Sequence, residues 1–221
     1  MSNLYIIATP IGNLEDITLR ALRVLKEADL ILCEDTRQTK KLLAKYEINS
    51  PTMSYHQHSK LNKINKIVDL LECGKNLALV SDAGTPGISD PGNKLIEYLV
   101  ENKIDVKIIP IPGPSAVISA LCISGFPTDN FIFLGFVPHK KGRQTFFENL
   151  AKEKRTAAFY ESPHRIIKTL ESMKKYIPEK EIAVCRELTK IYETTYRGKP
   201  DEVAKKIAPD QVKGEFVVVV N

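Results

Sequence analysis

The chain has 221 residues, of which 43% are hydrophobic and 27% charged. Those are ordinary globular values, with length for one large domain or two small ones, and they exclude fibrous and low-complexity classes. Thirty-two Lys and Arg against 27 Asp and Glu give a formal charge of +5, which is compatible with a polyanionic partner without demonstrating one. No segment approaches the apolar length of a membrane span, and Met1-Ser2-Asn3 opens no signal-peptide pattern. A soluble, cytoplasmic protein without a membrane partner is therefore expected. Cys33, Cys73, Cys122 and Cys185 form no C-x-x-C pair, and three of them sit in apolar runs. Buried thiols in a reducing compartment are favoured over disulfides or zinc.

Apolar runs alternate with helical patterns along most of the chain. Leu4–Ala8 reads as a first strand, followed by a helix with Ile17, Ala21, Val24, Leu25 and Ala28 on one face. Leu30–Cys33 is a second strand, and a polar helix runs from about Thr36 to Tyr46. Leu61, Ile64, Ile67, Val68 and Leu71 stripe the next helix, which Gly74 closes. Leu77–Val80 and Val106–Ile109 are further strands, and Leu95, Ile96, Leu99 and Val100 stripe the helix between them. This alternation implies βαβ units and a parallel sheet. The rigid segment Pro110–Pro114 then leads into a nearly all-apolar helix, Ser115–Ile123, expected to be buried on most sides. Beyond it, Phe131–Phe136, Ala157–Tyr160, Ile182–Cys185 and Phe216–Val220 read as strands. Glu193–Arg197 is expected as a hairpin partner, which makes the second sheet mixed. Ser162 and Pro163 suit the N-cap and first position of a helix striped by Ile166, Ile167, Leu170 and Met173. The expected fold is α/β with two domains, residues 1–113 with a parallel sheet and 114–221 with a mixed one.

The most informative segment is Ser81-Asp82-Ala83-Gly84-Thr85-Pro86-Gly87-Ile88-Ser89-Asp90-Pro91-Gly92. Three glycines and two prolines make it bent in places and stiff in others, and two aspartates supply acceptors. A loop of this kind after a buried strand is where open α/β sheets bind ligands, whereas ordinary connections are shorter. Glu34-Asp35-Thr36-Arg37 also follows a strand. It suits either hydrogen-bonding and proton-transfer work or a capped helix start. Pro112-Gly113-Pro114-Ser115-Ala116 offers a helix start for a carboxylate or phosphate, the alternative being a domain-crossing turn. His139-Lys140-Lys141-Gly142-Arg143 is a basic cluster that suits phosphates or a solvated face. Tyr160-Glu161-Ser162-Pro163-His164-Arg165 and Arg186-Glu187-Leu188-Thr189-Lys190 place polar groups after strands. The first loop, Thr9–Leu14, lacks the dinucleotide-binding spacing, and no nucleophile-elbow, zincin or Walker A pattern is present. His56 and His58 have no acidic neighbour in sequence, so no metal is expected.

Together the segments 34–37, 81–92, 112–116, 136–143, 160–165, 186–190 and 213–220 resemble, in order, the bacterial small-subunit ribosomal RNA methyltransferase I family. That family is a branch of the tetrapyrrole methylase superfamily. The resemblance implies S-adenosylmethionine folded into a cleft between two α/β domains, a homodimer, and 2′-O-methylation of a cytidine ribose in the decoding region. The partner it implies is small-subunit ribosomal RNA or the assembled subunit. Pro10, Ser81, Asp82, Ala83, Ser115, Ala116 and Leu188 are the cofactor-binding residues it suggests. Members of the family usually continue past the final strand, whereas this chain stops at Asn221.

Methyl transfer from a sulfonium needs an in-line arrangement and help in removing the 2′-OH proton. Glu34, Asp35 and Glu161 are the candidate bases, with Asp35 and Glu161 in front. Arg37, Lys140, Lys141, Arg143 and Arg165 are the candidate ligands for RNA phosphates. Two other readings stay open: a methylase of a tetrapyrrole or other small molecule, and a non-enzymatic RNA-binding assembly factor. The first would prefer a more apolar trough, and the second would bind RNA but not S-adenosylmethionine.

Overall fold

The computed structural model describes residues 2–56, 61–90, 92–207 and 212–221. The chain divides into two compact units, Met1–Ser115 and Ala116–Asn221.

In the first unit, strands β1 (Ser2–Ile7), β2 (Leu30–Cys33), β3 (Thr52–Ser54), β4 (Leu77–Val80) and β5 (Val106–Ile111) form one sheet in the order β3-β2-β4-β1-β5. Every pairing in it is parallel. Parallel strands need crossovers, supplied by α1 (Leu19–Glu27), α2 (Thr36–Lys45), α3 (Leu61–Glu72) and α4 (Asn93–Glu101). Alternate strand residues point to opposite faces. Ile7, Ile31, Cys33, Ala78 and Val80 pack with Ala21, Val24 and Leu25 of α1 and with Leu42 and Leu43 of α2. Leu4, Leu32, Leu77 and Leu79 pack instead with Ile67 and Leu71 of α3 and with Leu95 and Leu99 of α4. Covering both faces explains why Leu77-Ala78-Leu79-Val80 is buried at all four positions.

In the second unit, β6 (Phe131–Phe136), β7 (Thr156–Glu161), β8 (Ile182–Arg186), β9 (Thr194–Gly198) and β10 (Phe216–Val220) form a sheet in the order β6-β7-β10-β8-β9. β6 runs parallel to β7, and the other neighbours are antiparallel, so the sheet is mixed. β10 lies in the middle with all five residues buried. The helices are α5 (Ala116–Ser124), α6 (Arg143–Lys152), α7 (Ile166–Tyr176) and α8 (Pro200–Lys206).

Three expectations need correction. α5 is not buried on most sides: Val117, Ala120 and Leu121 are covered, while Ile118 and Ile123 are exposed. α7 begins at Ile166 and not at Pro163, because Ser162–Arg165 is a turn whose Ser162 carbonyl accepts from the N–H groups of Arg165 and Ile166. α6 and α8 were not expected, nor was the three-residue strand β3.

The second core centres on Phe159, fully buried among Phe146, Ile166, Leu170 and Val218. Phe159→Ala should cost about 3–5 kcal/mol, because the close packing cannot collapse around so large a void. Urea denaturation should show a lower midpoint with an unchanged slope.

Candidate active site

Four loops leave the carboxyl ends of β1, β2, β4 and β5, the edge of a parallel sheet at which ligands bind. Two of them are tied by backbone. Thr9 N–H donates to the Gly84 carbonyl at 2.8 Å and Gly84 N–H to the Thr9 carbonyl at 3.0 Å, an isolated antiparallel bridge within a parallel architecture. The Thr9 hydroxyl donates to the Ser81 carbonyl at 3.1 Å, and the Ser81 hydroxyl turns back to Ala83 and Gly84 carbonyls. Gly84 holds φ at +79°, which a side chain there would resist. Thr85 Oγ1 donates to the Pro114 carbonyl at 3.3 Å, binding the loop after β4 to the loop after β5. Gly113 passes so close to β1 that a Cβ would sit 3.1 Å from that of Ala8. Pro10 and Ser81 are buried, Ala83 and Ser115 half-buried, and Asp82 exposed.

The carboxylates differ sharply. Asp35 caps α2, accepting from Arg37 N–H at 2.8 Å, and pairs in bidentate fashion with the Arg37 guanidinium. Those side-chain bonds first, and the backbone bond after them, hold its carboxyl at about 2. Asp82 Oδ1 accepts from Asp35 N–H at 3.0 Å. Glu34 is half-buried, and desolvation with the charge of Asp82 pushes its pKa up, while His56 opposes the shift.

In the second unit Glu161, at the end of β7, is fully buried. Its carboxylate accepts from Arg165 at 2.7 Å, from the Thr169 hydroxyl at 2.6 Å and from Ser162 N–H at 2.7 Å. Arg143 lies 3.8 Å away and donates to the same Thr169 at 2.9 Å. Burial pushes the Arg143 pKa down, and its buried Nε has no hydrogen-bond partner among the described residues. Arg165 further donates to the Val137 carbonyl and the Ser162 hydroxyl.

Buried Leu188 is flanked by Glu187 and Thr189, both in the left-handed region at φ 53° and 67°. Such conformations cost about 1–3 kcal/mol each and persist only when their surroundings impose them. Here Glu187 exchanges backbone and side-chain bonds with Glu215 and pairs with Lys190 at 2.8 Å. Gly214 leaves the room that the Glu187 carboxyl fills.

Several expected roles change accordingly. Asp35 and Glu161 are not available bases, since one is spent on a cap and an ion pair and the other on two guanidiniums, a hydroxyl and an amide. Arg143 and Arg165 are not open phosphate ligands, because both are turned inward onto Glu161 and neighbouring acceptors. Arg37, Lys140 and Lys141 remain exposed. Thr169 was missed. The available signal was a hydroxyl on the apolar stripe of α7, three residues after Ile166. No group of three His, Cys, Asp or Glu with metal-binding geometry occurs among the described residues, and His58 lies outside them.

The model of the tetrapyrrole (corrin/porphyrin) methylases matches residues 3–204. Ribosomal RNA small subunit methyltransferase I of Thermotoga maritima is 46% identical, covering 100% of this chain and 99% of its own. The enzyme of that name from Bacillus subtilis is 48% identical, covering 100% and 75%. The chain belongs to the ribosomal RNA small subunit methyltransferase I family. Family membership makes it a methyltransferase dependent on S-adenosylmethionine. The fold extends further. A solved cobalt precorrin-4 methyltransferase aligns with a TM-score of 0.72 at 20% identity, covering 99% of this chain and 94% of its own. Uroporphyrin-III C-methyl transferase from Thermus thermophilus, complexed with S-adenyl homocysteine, aligns at 0.66 and 16% identity, covering 99% and 97%.

The residues present fit the cofactor's polar ends. Exposed Asp82 is an acceptor for an ammonium or hydroxyl, and half-buried Ser115 precedes a nine-residue helix whose N–H groups suit a carboxylate. Asp82→Ala should weaken S-adenosylmethionine binding at least tenfold, about 1.4 kcal/mol, with the fold intact. Calorimetry checks this, and unchanged affinity in a folded variant removes Asp82 from the site. Glu161→Ala should instead destabilise the protein by about 3–5 kcal/mol, because it leaves guanidiniums buried without their counter-ion. Thermal or urea unfolding reads that loss.

Proposed function

We propose that the protein transfers the methyl group of S-adenosylmethionine to the 2′-hydroxyl of a cytidine ribose in the decoding region of small-subunit ribosomal RNA. The observation that supports this reading most is the full-length identity of 46–48% to relatives named for that RNA, together with the set of polar loops at one sheet edge. The proposed cofactor ligands are Pro10, Ser81, Asp82, Ala83 and Ser115 in the first unit, with Ala116 and Leu188 in the second. A cytoplasmic homodimer acting on the RNA or the assembled subunit completes the proposal. The exposed Ile118 and Ile123 of α5 favour self-association.

The bound cofactor supplies an electrophilic methyl group. The chain has to hold the ribose oxygen in line with it and accept a proton. Of the three carboxylates considered, Glu34 alone combines partial burial and a raised pKa with no salt bridge to a lysine or arginine among the described residues. It is the proposed proton acceptor, because a carboxyl shifted upward is a stronger base at neutral pH. Asp35 holds the start of α2, and its amide fixes the Asp82 carboxylate.

Radiolabelled methyl transfer to small subunits and to free ribosomal RNA from an unmethylated strain, with the product mapped by mass spectrometry, tests the reading. A methylated base in place of a 2′-O-methylated cytidine refutes it. Glu34→Gln should lower kcat at least a hundredfold while leaving S-adenosylmethionine affinity unchanged. The wild-type kcat/KM should rise with pH through a value above the ordinary carboxyl range, since the base acts only when deprotonated. That acid limb should vanish in the variant.

A further inference from the structure

A groove of ≈ 450 Å³ lies between α6 and α7, and neither the cofactor loops nor the carboxylates above take part in it. Its walls include Lys140 just before α6, Arg143 on α6, and Lys168, Glu171, Lys175 and Tyr176 on α7. Ile166, Thr169, Leu170 and Met173 bury one side of α7, which leaves Lys168 and Lys175 on its open side. Seven residues apart, they stand two turns and roughly 10 Å from each other along one face.

We infer that this groove holds a stretch of the RNA substrate's phosphodiester backbone, an inference that rests on the ribosomal RNA reading given above. Lys140, Lys168 and Lys175 are exposed and make no ion pair among the described residues. Their surplus of positive charge faces one carboxylate, Glu171. At the wall formed by Arg143, that residue and Arg165 share the single carboxylate of Glu161, so the network carries a net positive charge where solvent screens it weakly. Lys175 Nζ sits 5.2 Å over the Tyr176 ring, and that ring stacks on Phe147. The ammonium is thereby held at the groove instead of sweeping through solvent. A site for a small free anion brings its donors to one point inside a concave pocket. Here Lys168 and Lys175 are set two helical turns apart along an open groove, the arrangement that follows a polyanion. Contacts of this kind fix the register of the RNA and carry no sequence information.

The test is the double variant Lys168→Ala/Lys175→Ala, read by binding to a small-subunit ribosomal RNA fragment between about 50 and 200 mM salt. Losing two phosphate contacts should weaken binding at low salt and make the slope of log K against log salt shallower by about 1.4. S-adenosylmethionine calorimetry and thermal unfolding should match wild type. Lys168→Gln/Lys175→Gln gives the same readout if the alanine pair does not fold. A control pair on the first unit, Lys26→Ala/Lys45→Ala, should leave the slope unchanged. Wild-type affinity and slope in a folded variant would overturn the inference, as would an equal loss in the control pair. Weakened binding to assembled subunits with unchanged binding to naked RNA would show a ribosomal protein as the partner, and would also overturn it. If the wild-type protein itself binds no ribosomal RNA, the substrate reading falls, and the groove's assignment falls with it.

Discussion

Two backbone hydrogen bonds between Thr9 and Gly84 set the geometry on which the loop-bearing edge of the first unit's sheet depends. Parallel strands end side by side, and the loops leaving them have no intrinsic reason to stay together. The bridge makes the β1 and β4 loops one object, and the Thr85 bond to Pro114 adds the loop after β5 to it. Asp82 then has a fixed backbone beneath it, and its side chain is set by the Asp35 amide of the fourth loop. Such an edge is organised before any ligand arrives, so little binding energy has to go into ordering it.

The second unit spends charge where the first spends backbone. A carboxylate removed from water is costly unless its partners replace that water fully. Glu161 meets this requirement with two guanidiniums, a hydroxyl and an amide drawn from the first turn of α6, the turn after β7, and α7 itself. The same residues that looked chemically active in sequence are consumed in joining these elements. Glu34 carries fewer such obligations, which is why it is the carboxylate proposed as proton acceptor.

Strands with continuous apolar runs and turn residues at both ends were legible in the sequence. Leu30–Cys33, Leu77–Val80, Phe131–Phe136 and Phe216–Val220 stand where the pattern puts them. β3 has three half-buried residues and no run to read. α6 was hidden because its first turn coincides with a basic cluster, and its buried positions include an arginine. The start of α7 was misread because Ser162 and Pro163 carry helix-start chemistry, whereas their neighbour Glu161 recruits Arg165 and the Ser162 amide into a turn. The loops proposed for the site were visible for a related reason: glycine, proline and acid combinations are local signals. Whether a given acid is free or paired is not local. Arg143 and Thr169 reach Glu161 from 18 and 8 residues away, and only the folded chain brings them there.

The order of strands in the second sheet has a consequence during synthesis. β10 is hydrogen-bonded on both sides, between β7 and β8, yet it is the last of that sheet's strands to be made. Every strand of the first unit is translated by Ile111, so that unit can fold while the ribosome is still elongating, as amino-terminal domains generally do. The second unit cannot close its sheet until residues 216–220 leave the exit tunnel. Through that interval β7 and β8 present bare edges lined with Ala157–Phe159 and Ile182–Cys185, the kind of surface on which nascent chains pair wrongly. Chaperone demand and sensitivity to slow translation should therefore concentrate in the second half of the chain, on a strand pair waiting for its centre.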